Sequence, residues 1–233
     1  MIVGIHQPNF LPWIGYFYKM MKTDVFVILD DVQYTKNSFI NRNKIKTPNG
    51  TQWLTVPVNT SGKFGQNINE TTIFSQSKSF RKILSSIRMS YSKSKYFDLY
   101  YNDFEQVFIG GNNDSLSNLN IKLIQFLKEK LNIETKLVVS STLDNIKEGA
   151  TERLISICKK VECDKYFSGF GGKNYQDLEM FKNSNISLIS TDFKHPNYKQ
   201  LWGDFIPNLS TIDLLFNYGP ESNKYLDKGD NNL

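Results

Sequence analysis

Apolar positions along the chain gather into short runs rich in Val and Ile, and between these runs apolar residues recur at helical spacing. Residues 2–5 and 25–29 are two such runs, and the stretch from Trp13 to Lys22 between them is aromatic and helix-compatible. The order predicted there is strand, helix, strand. Residues 51–58 predict another strand, which Pro57 confines to a sheet edge or a strand end because proline lacks the N–H that a ladder needs.

From Ser77 to Leu131 the character changes. Phe80, Ile83, Leu84, Ile87 and Tyr91 fall at helical spacing, and further helical patterns run over Phe97 to Phe108 and Leu116 to Leu131. The Gly- and Asn-rich stretch 109–114 breaks the second from the third, so a helical insertion is expected near residues 77–131. The alternation then returns, with strands at Thr135 to Val139, Lys165 to Phe167 and Ile186 to Ser190, and helices at Thr151 to Lys160 and Asp177 to Asn183. Strands separated by helices predict an α/β fold, a mostly parallel Rossmann-like sheet with helices on both faces. A final amphipathic helix is expected over Leu209 to Phe216, with Ser210 placed as its cap and Pro12 in the first turn of the first helix. The tail beyond Gly219 is polar and expected to fray. No repeat, low-complexity tract or clear linker interrupts the pattern, so residues 1–233 read as one domain that includes the helical part.

Composition narrows the class. A chain of 233 residues with 39% hydrophobic positions can bury a sizeable core, and no apolar run approaches the roughly 18 residues that a membrane span requires. The opening Met-Ile-Val-Gly-Ile-His lacks a basic segment and an apolar signal core, so a cytoplasmic protein is expected. Two cysteines, Cys158 and Cys163, are too few to staple a chain this long and lack zinc-site spacing; they read as reduced thiols in or near the core, and no metal site is expected. A net charge of +5 is modest, and no nucleic-acid-binding signature accompanies it. Its distribution matters more. Lys36, Arg42, Lys44 and Lys46 occur with no intervening acid, as do the cations from Lys78 to Lys95, which alternate with helix-periodic apolar residues and read as a solvated face.

In parallel α/β sheets, ligands bind outside the carboxyl ends of the strands. That rule selects His6-Gln7-Pro8-Asn9, Asp30-Asp31-Val32-Gln33-Tyr34 and Ser168-Gly169-Phe170-Gly171-Gly172. His6 suits a general base or a phosphate ligand, or a buried histidine that fixes the turn, and Gln7 and Asn9 offer polar atoms beside it. Asp30 and Asp31 point in different directions, so one can face a pocket while the other caps a turn or pairs with Lys36 or Arg42. Gln33, Lys36, Asn37, Arg42, Asn43 and Lys44 mix cations with amides, a set suited to phosphate or carboxylate and to sugar hydroxyls, or else a plain exposed basic loop. Glycines around Ser168 and Gly169 let backbone N–H groups approach a ligand, with Tyr175 close by, although the spacing is neither a P-loop nor a Rossmann fingerprint. Trp13-Ile14-Gly15-Tyr16 stands where nucleotidylyltransferases carry His-x-Gly-His, and both histidines are missing, which argues against orthodox adenylyl transfer. His195 reads as a loop residue held by Pro196.

His6-Gln7-Pro8-Asn9 with Pro12-Trp13-Ile14-Gly15-Tyr16-Phe17, Asp30-Asp31-Val32-Gln33-Tyr34, Asn41-Arg42-Asn43-Lys44-Ile45-Lys46 and Trp53-Leu54-Thr55-Val56-Pro57 closely resemble the WbqC-like protein family. The similarity continues through Tyr166-Phe167-Ser168-Gly169, Tyr175, Tyr198, Gln200, Phe205-Ile206-Pro207, Asp213 and Asn217-Tyr218-Gly219. The resemblance implies a bacterial protein of surface polysaccharide (O-antigen lipopolysaccharide) gene clusters. It further implies an acyl or aminoacyl transferase, the group being glycyl in the role proposed for the namesake, that forms an amide on the amine of a nucleotide-linked amino-sugar. A non-catalytic nucleotide-sugar-binding or scaffold protein of the same pathway is the alternative. On the transferase reading His6, Asp30 and Asp31 are the catalytic candidates, and the acyl donor, any use of ATP and the oligomeric state are left open.

Overall fold

A computed structural model describes residues 1–111, 113–169, 176–190 and 193–229. Five strands form one sheet in the order β5-β2-β1-β6-β7: β1 is Ile2–His6, β2 Val25–Ile28, β5 Lys136–Val139, β6 Lys165–Ser168 and β7 Ser187–Ser190. Every pairing in this sheet is parallel. The chain moves outward from β1 to β2 and β5, returns to place β6 on the other side of β1, and ends at β7. The strand order therefore reverses between β1 and β6, where a parallel sheet opens a crevice at its carboxyl edge.

Period-two alternation in the central strands feeds two apolar layers. Val3, Ile5, Val25 and Val27 pack with Ile155, Ile157, Cys158 and Phe181 of helices α5 (Ala150–Lys160) and α6 (Leu178–Asn183). Phe26 and Ile28 point the other way, into a larger cluster with α1 (Ile14–Met21), α2 (Gln76–Tyr91), α3 (Phe97–Ile109), α4 (Leu116–Lys130) and α7 (Thr211–Tyr218). Strands buried on both faces need apolar residues at every position, which is why β2 reads Val-Phe-Val-Ile. The helical middle of the chain thus shares the core of one sheet face. Much of the aromatic content sits there, in edge-to-face contacts such as Phe104 with Phe108, Phe126 and Phe216.

Three expectations change. The basic stretch is a loop only in its first part: Arg42–Thr47 is strand β3, paired antiparallel with β4 (Gly50–Thr55) in a separate two-stranded sheet, and Pro57 lies beyond the end of β4. Polar residues over 42–47 hid that strand, because its buried side chains are Asn43, Ile45 and Lys46, and only Ile45 is apolar. Helix α1 starts at Ile14 with Trp13 as its N-cap, so Pro12 precedes the cap and lends its carbonyl to Thr211 N. Gly15 accommodates the Trp13 ring, which a Cβ there would meet at 2.4 Å. The tail past Gly219 is structured through residue 229, with a 3-10 turn at Gly219–Asn223 and helix α8 at Lys224–Asp227, whose Leu226 joins the larger cluster.

Other expectations agree. Ser210 caps α7 by accepting from Ile212 N, both cysteines are free and buried, and Lys78, Arg81, Lys82, Arg88, Lys93 and Lys95 are exposed. Among the described residues no helix is long and apolar enough to cross a membrane.

Candidate functional site

His6 closes β1 level with Ile28 of β2, and Gly4 is level with Phe167 of β6, so His6, Asp30 and Ser168 leave the sheet at one edge. Register in a parallel sheet makes this unavoidable once each follows its strand. Phe170 to Tyr175, with the expected contributions of Gly171, Gly172 and Tyr175, lie outside the described residues.

The loop after β1 is held from three sides. Asn120 of α4 donates Nδ2 to the Pro8 carbonyl at 2.9 Å and to the Ile40 carbonyl at 2.7 Å. Asn43 donates to the Leu11 carbonyl at 2.7 Å. Leu11 itself has φ 43°, a left-handed backbone that leucine seldom adopts, and these bonds keep it there. Gln7 is half-buried and Asn9 buried within this framework, at the entry to α1.

His6 is partly buried, edge-on to the Tyr16 ring at 4.8 Å, with Nδ1 at 3.0 Å from the Gln7 carbonyl. Burial first, and the Lys19 charge second, lower its pKa to about 4, so the imidazole is neutral at pH 7. A neutral ring whose Nδ1–H donates to Gln7 leaves Nε2 as an acceptor. Lys19 is the residue that sequence reasoning missed. It is 5% exposed, donates Nζ to the Ile5 carbonyl at 2.7 Å, and lies 5.6 Å from the centre of the Tyr166 ring on β6. It therefore spans the crevice between β1 and β6, and burial lowers its pKa to about 7. The available signal was a single cation inside the otherwise apolar Ile14-Gly15-Tyr16-Phe17-Tyr18-Lys19-Met20-Met21. The Tyr16 hydroxyl is buried without a hydrogen-bond partner, and burial raises its pKa.

The carboxylate pair after β2 is differently placed. Asp30 is 3% exposed and its carboxylate accepts from Ser140 Oγ at 3.1 Å, Ser141 N at 3.0 Å and Ser141 Oγ at 2.9 Å. Asp31 pairs with Arg153 at 2.6 Å and with the Ser140 hydroxyl. The expected pairing with Lys36 or Arg42 gives way to these, because β5 ends beside β2 and brings Ser140 and Ser141 against the pair. Ser168 is buried, its hydroxyl 3.1 Å from Gln176 Oε1 and 3.3 Å from the Gly169 carbonyl, and the position of Gly169 is open where a side chain would project.

The basic stretch divides by strand geometry. Arg42 and Lys44 lie on the outer face of β3, the guanidinium 4.4 Å and the ammonium 4.9 Å from the Trp53 ring of β4, with exposed Phe39 6.0 Å from the same tryptophan. Asn43 faces inward and serves the loop after β1, not a ligand. Lys46 is buried and donates to the carbonyls of Gly203 (3.2 Å) and Asp204, so it too is committed to structure. Gln33, Lys36 and Asn37 are exposed on the connection leading to β3. His195 sits in a loop as expected, its Nδ1 3.0 Å from the Pro196 carbonyl. A polar cluster under α7 went unread: the Tyr91 hydroxyl donates to Asp213 at 2.9 Å, and burial pushes the Asp213 carboxyl up to about 6.

Comparison with known proteins places this framework in context. The profile described as the WbqC-like protein family matches residues 7–225. An uncharacterized protein of Mycobacterium tuberculosis (strain ATCC 25618 / H37Rv), Rv1507c, is 37% identical over 225 residues, which covers 96% of each chain. No solved structure gives a significant match.

Proposed function

The chain belongs to the WbqC-like protein family, and from that premise and the geometry of the sheet edge we propose that it transfers an acyl or aminoacyl group to the amine of a nucleotide-linked amino-sugar, forming an amide. The observation that carries this reading is the placing of a neutral imidazole, His6, beside a buried amine, Lys19, whose pKa burial lowers to about 7. In the step proposed, the sugar amine attacks the acyl carbon of the donor, the new C–N bond forms, the donor's leaving group departs, and the amine proton passes to His6 Nε2. Protonating Lys19 places a positive charge beside His6 and weakens it as a base; losing that proton restores it. Gln7, Asn9, Ser168 and Gly169 border the reacting end, and Arg42 and Lys44 supply charge for the diphosphate. The missing histidines at Trp13 and Tyr16 favour a preformed acyl donor over adenylate formation from ATP.

One observation favours the alternative, a non-catalytic nucleotide-sugar-binding protein of a surface-polysaccharide pathway: both carboxylates are taken up by Ser140, Ser141 and Arg153. Incubation with a panel of dTDP- and UDP-amino-sugars, with glycine, ATP and acyl donors, read by mass spectrometry, separates the two. The transferase reading expects one sugar to gain the mass of the acyl group, with AMP release only if ATP is consumed. Tight sugar binding with no mass gain under any donor would leave the binding protein.

A further inference from the structure

Charge is unevenly divided along this chain. Residues 32–97 hold eleven of its 28 lysines and arginines but one of its 23 carboxylates, Glu70, a net +10, which leaves −5 for the rest of a +5 protein. Such asymmetry is the mark of a segment that meets an anionic partner. The fold gathers the segment: β3, β4 and α2 pack against one another, with Gln52 of β4 donating Nε2 to Ser86 Oγ of α2 at 3.2 Å. Helix α2 turns Phe80, Ile83, Leu84 and Ile87 into the core and presents Lys78, Arg81 and Lys82 outward, with no acid anywhere along it. Arg88 is drawn to Glu105 and Lys46 is held by the Gly203 and Asp204 carbonyls, so neither adds to this face.

Large apolar side chains stand out from the same face. Phe39, Trp53 and Phe74 are 51%, 41% and 58% exposed, and their positions join up. The Phe39 ring lies 6.0 Å from Trp53, and Trp53 lines a shallow groove of about 300 Å³ between β4 and α2 together with Pro57, Ser79 and Lys82. Phe74 adjoins that groove, since its N donates to the Pro57 carbonyl at 2.8 Å and its carbonyl accepts from Ser79 Oγ at 3.1 Å. Arg42 and Lys44 over the Trp53 ring close the face at the hairpin. Cations interleaved with exposed aromatic rings suit the surface of an anionic bilayer, whose phosphates take the charges and whose headgroup layer takes the rings. A nucleic acid would use the charges and stack its bases, but it offers nothing to the aliphatic Met89, 76% exposed two turns beyond Lys82 on α2. We infer that this face docks the protein on an anionic lipid bilayer, with Lys78, Arg81 and Lys82 at the headgroup phosphates and Phe39, Trp53 and Phe74 in the headgroup layer.

Co-sedimentation with vesicles of phosphatidylglycerol and phosphatidylcholine in equal parts, and of phosphatidylcholine alone, tests the face. Binding is expected to the anionic vesicles only, and it should weaken steeply as salt is added. Lys78→Ala/Arg81→Ala/Lys82→Ala should bind about a hundredfold more weakly, from the contribution of three cations near such a surface. Phe74→Ser should bind severalfold more weakly. Lys159→Ala/Lys160→Ala, at the exposed end of α5 outside the basic segment, should bind as wild type does. All these side chains are exposed, so the variants keep the core intact. Tryptophan emission should shift to the blue on anionic vesicles, and the shift should shrink in Trp53→Phe. A wild-type protein that ignores anionic vesicles at low salt would overturn the assignment, as would a triple variant that binds like wild type or an α5 pair that loses as much as the triple. Binding of a single-stranded oligonucleotide without binding of vesicles at the same salt would overturn it too, and give the face to nucleic acid. None of these measurements involves amide formation, so the docking face stands or falls separately from the transferase.

Discussion

Two neighbouring strand ends in this sheet are handled in opposite ways. The carboxylates after β2 are saturated: Asp30 has three donors from Ser140 and Ser141, and Asp31 has Arg153. The groups after β1 are left nearly bare: among the described residues His6 has one side-chain hydrogen bond, to Gln7, and Lys19 one, to Ile5. Both regions carry buried ionisable side chains, and burial without partners disfavours charge. The protein satisfies the β2 end with hydrogen bonds, whereas at the β1 end burial keeps His6 neutral and lowers Lys19 to about 7, which leaves lone pairs and donors there for a ligand. Saturated charge holds two strands together; unsaturated polar atoms are available for chemistry.

The contrast breaks first at His6. General-base assistance is worth about 10²–10⁴-fold, so His6→Gln is expected to retain sugar-nucleotide affinity while turnover falls by that range. Turnover near wild type in a folded variant would take His6 out of the reaction. The stability side breaks at Asp30. Asp30→Ala strands the Ser140 and Ser141 donors beside β2, with an expected loss of about 2–4 kcal/mol in urea unfolding, whereas His6→Gln should cost far less. Equal losses at the two positions would erase the distinction between a structural and a chemical strand end. Next in size is Arg42→Ala, which should weaken a phosphate-bearing ligand by about 1.5–3 kcal/mol by calorimetry, while Lys82→Ala on the solvent face of α2 changes binding by less than about 0.5 kcal/mol.

The comparison also sharpens through pH. Lys19 has a folded pKa of about 7 against a usual 10.5, so the unfolded chain binds more protons between these values and stability rises with pH across that window. Lys19→Met removes this slope: its melting temperature should exceed wild type most at pH 7 and converge with it toward pH 10.5. The acid limb of kcat/KM near pH 7 should vanish in the same variant. His6, at about 4 against 6.5, has the same sign over pH 4–6.5, and His6→Gln should flatten that part of the stability curve. A slope that survives both substitutions would show that neither group is desolvated as the geometry indicates.

Legibility followed the kind of information each feature needs. β1 and β2 were readable as apolar runs because strands buried on two faces must be largely apolar, β6 as the short Tyr166-Phe167 pair between two helices, and their parallel order then carried His6, Asp30 and Ser168 to one edge. β3 was not readable, since a strand that presents Arg42 and Lys44 to solvent and hides Asn43 behind them looks like a polar loop. Lys19 was passed over because the helix around it is apolar enough to be read as core, and a lone cation there carries no label of its own.

What the sequence by itself determined is the local and periodic part: the apolar strands, the helices, and the resemblance to the WbqC-like family, to which residues 7–225 match. The partners of the strand-end residues were decided only in three dimensions. Ser140 lies 110 residues from Asp30, and Arg153 lies 122 from Asp31. Lys19 reaches back over 14 residues to Ile5 and across to Tyr166 on another strand. Hydrophobic period acts between near neighbours and is written along the chain, whereas the saturation of a charge depends on what the packed sheet brings within hydrogen-bond distance, and that distance exists only after folding.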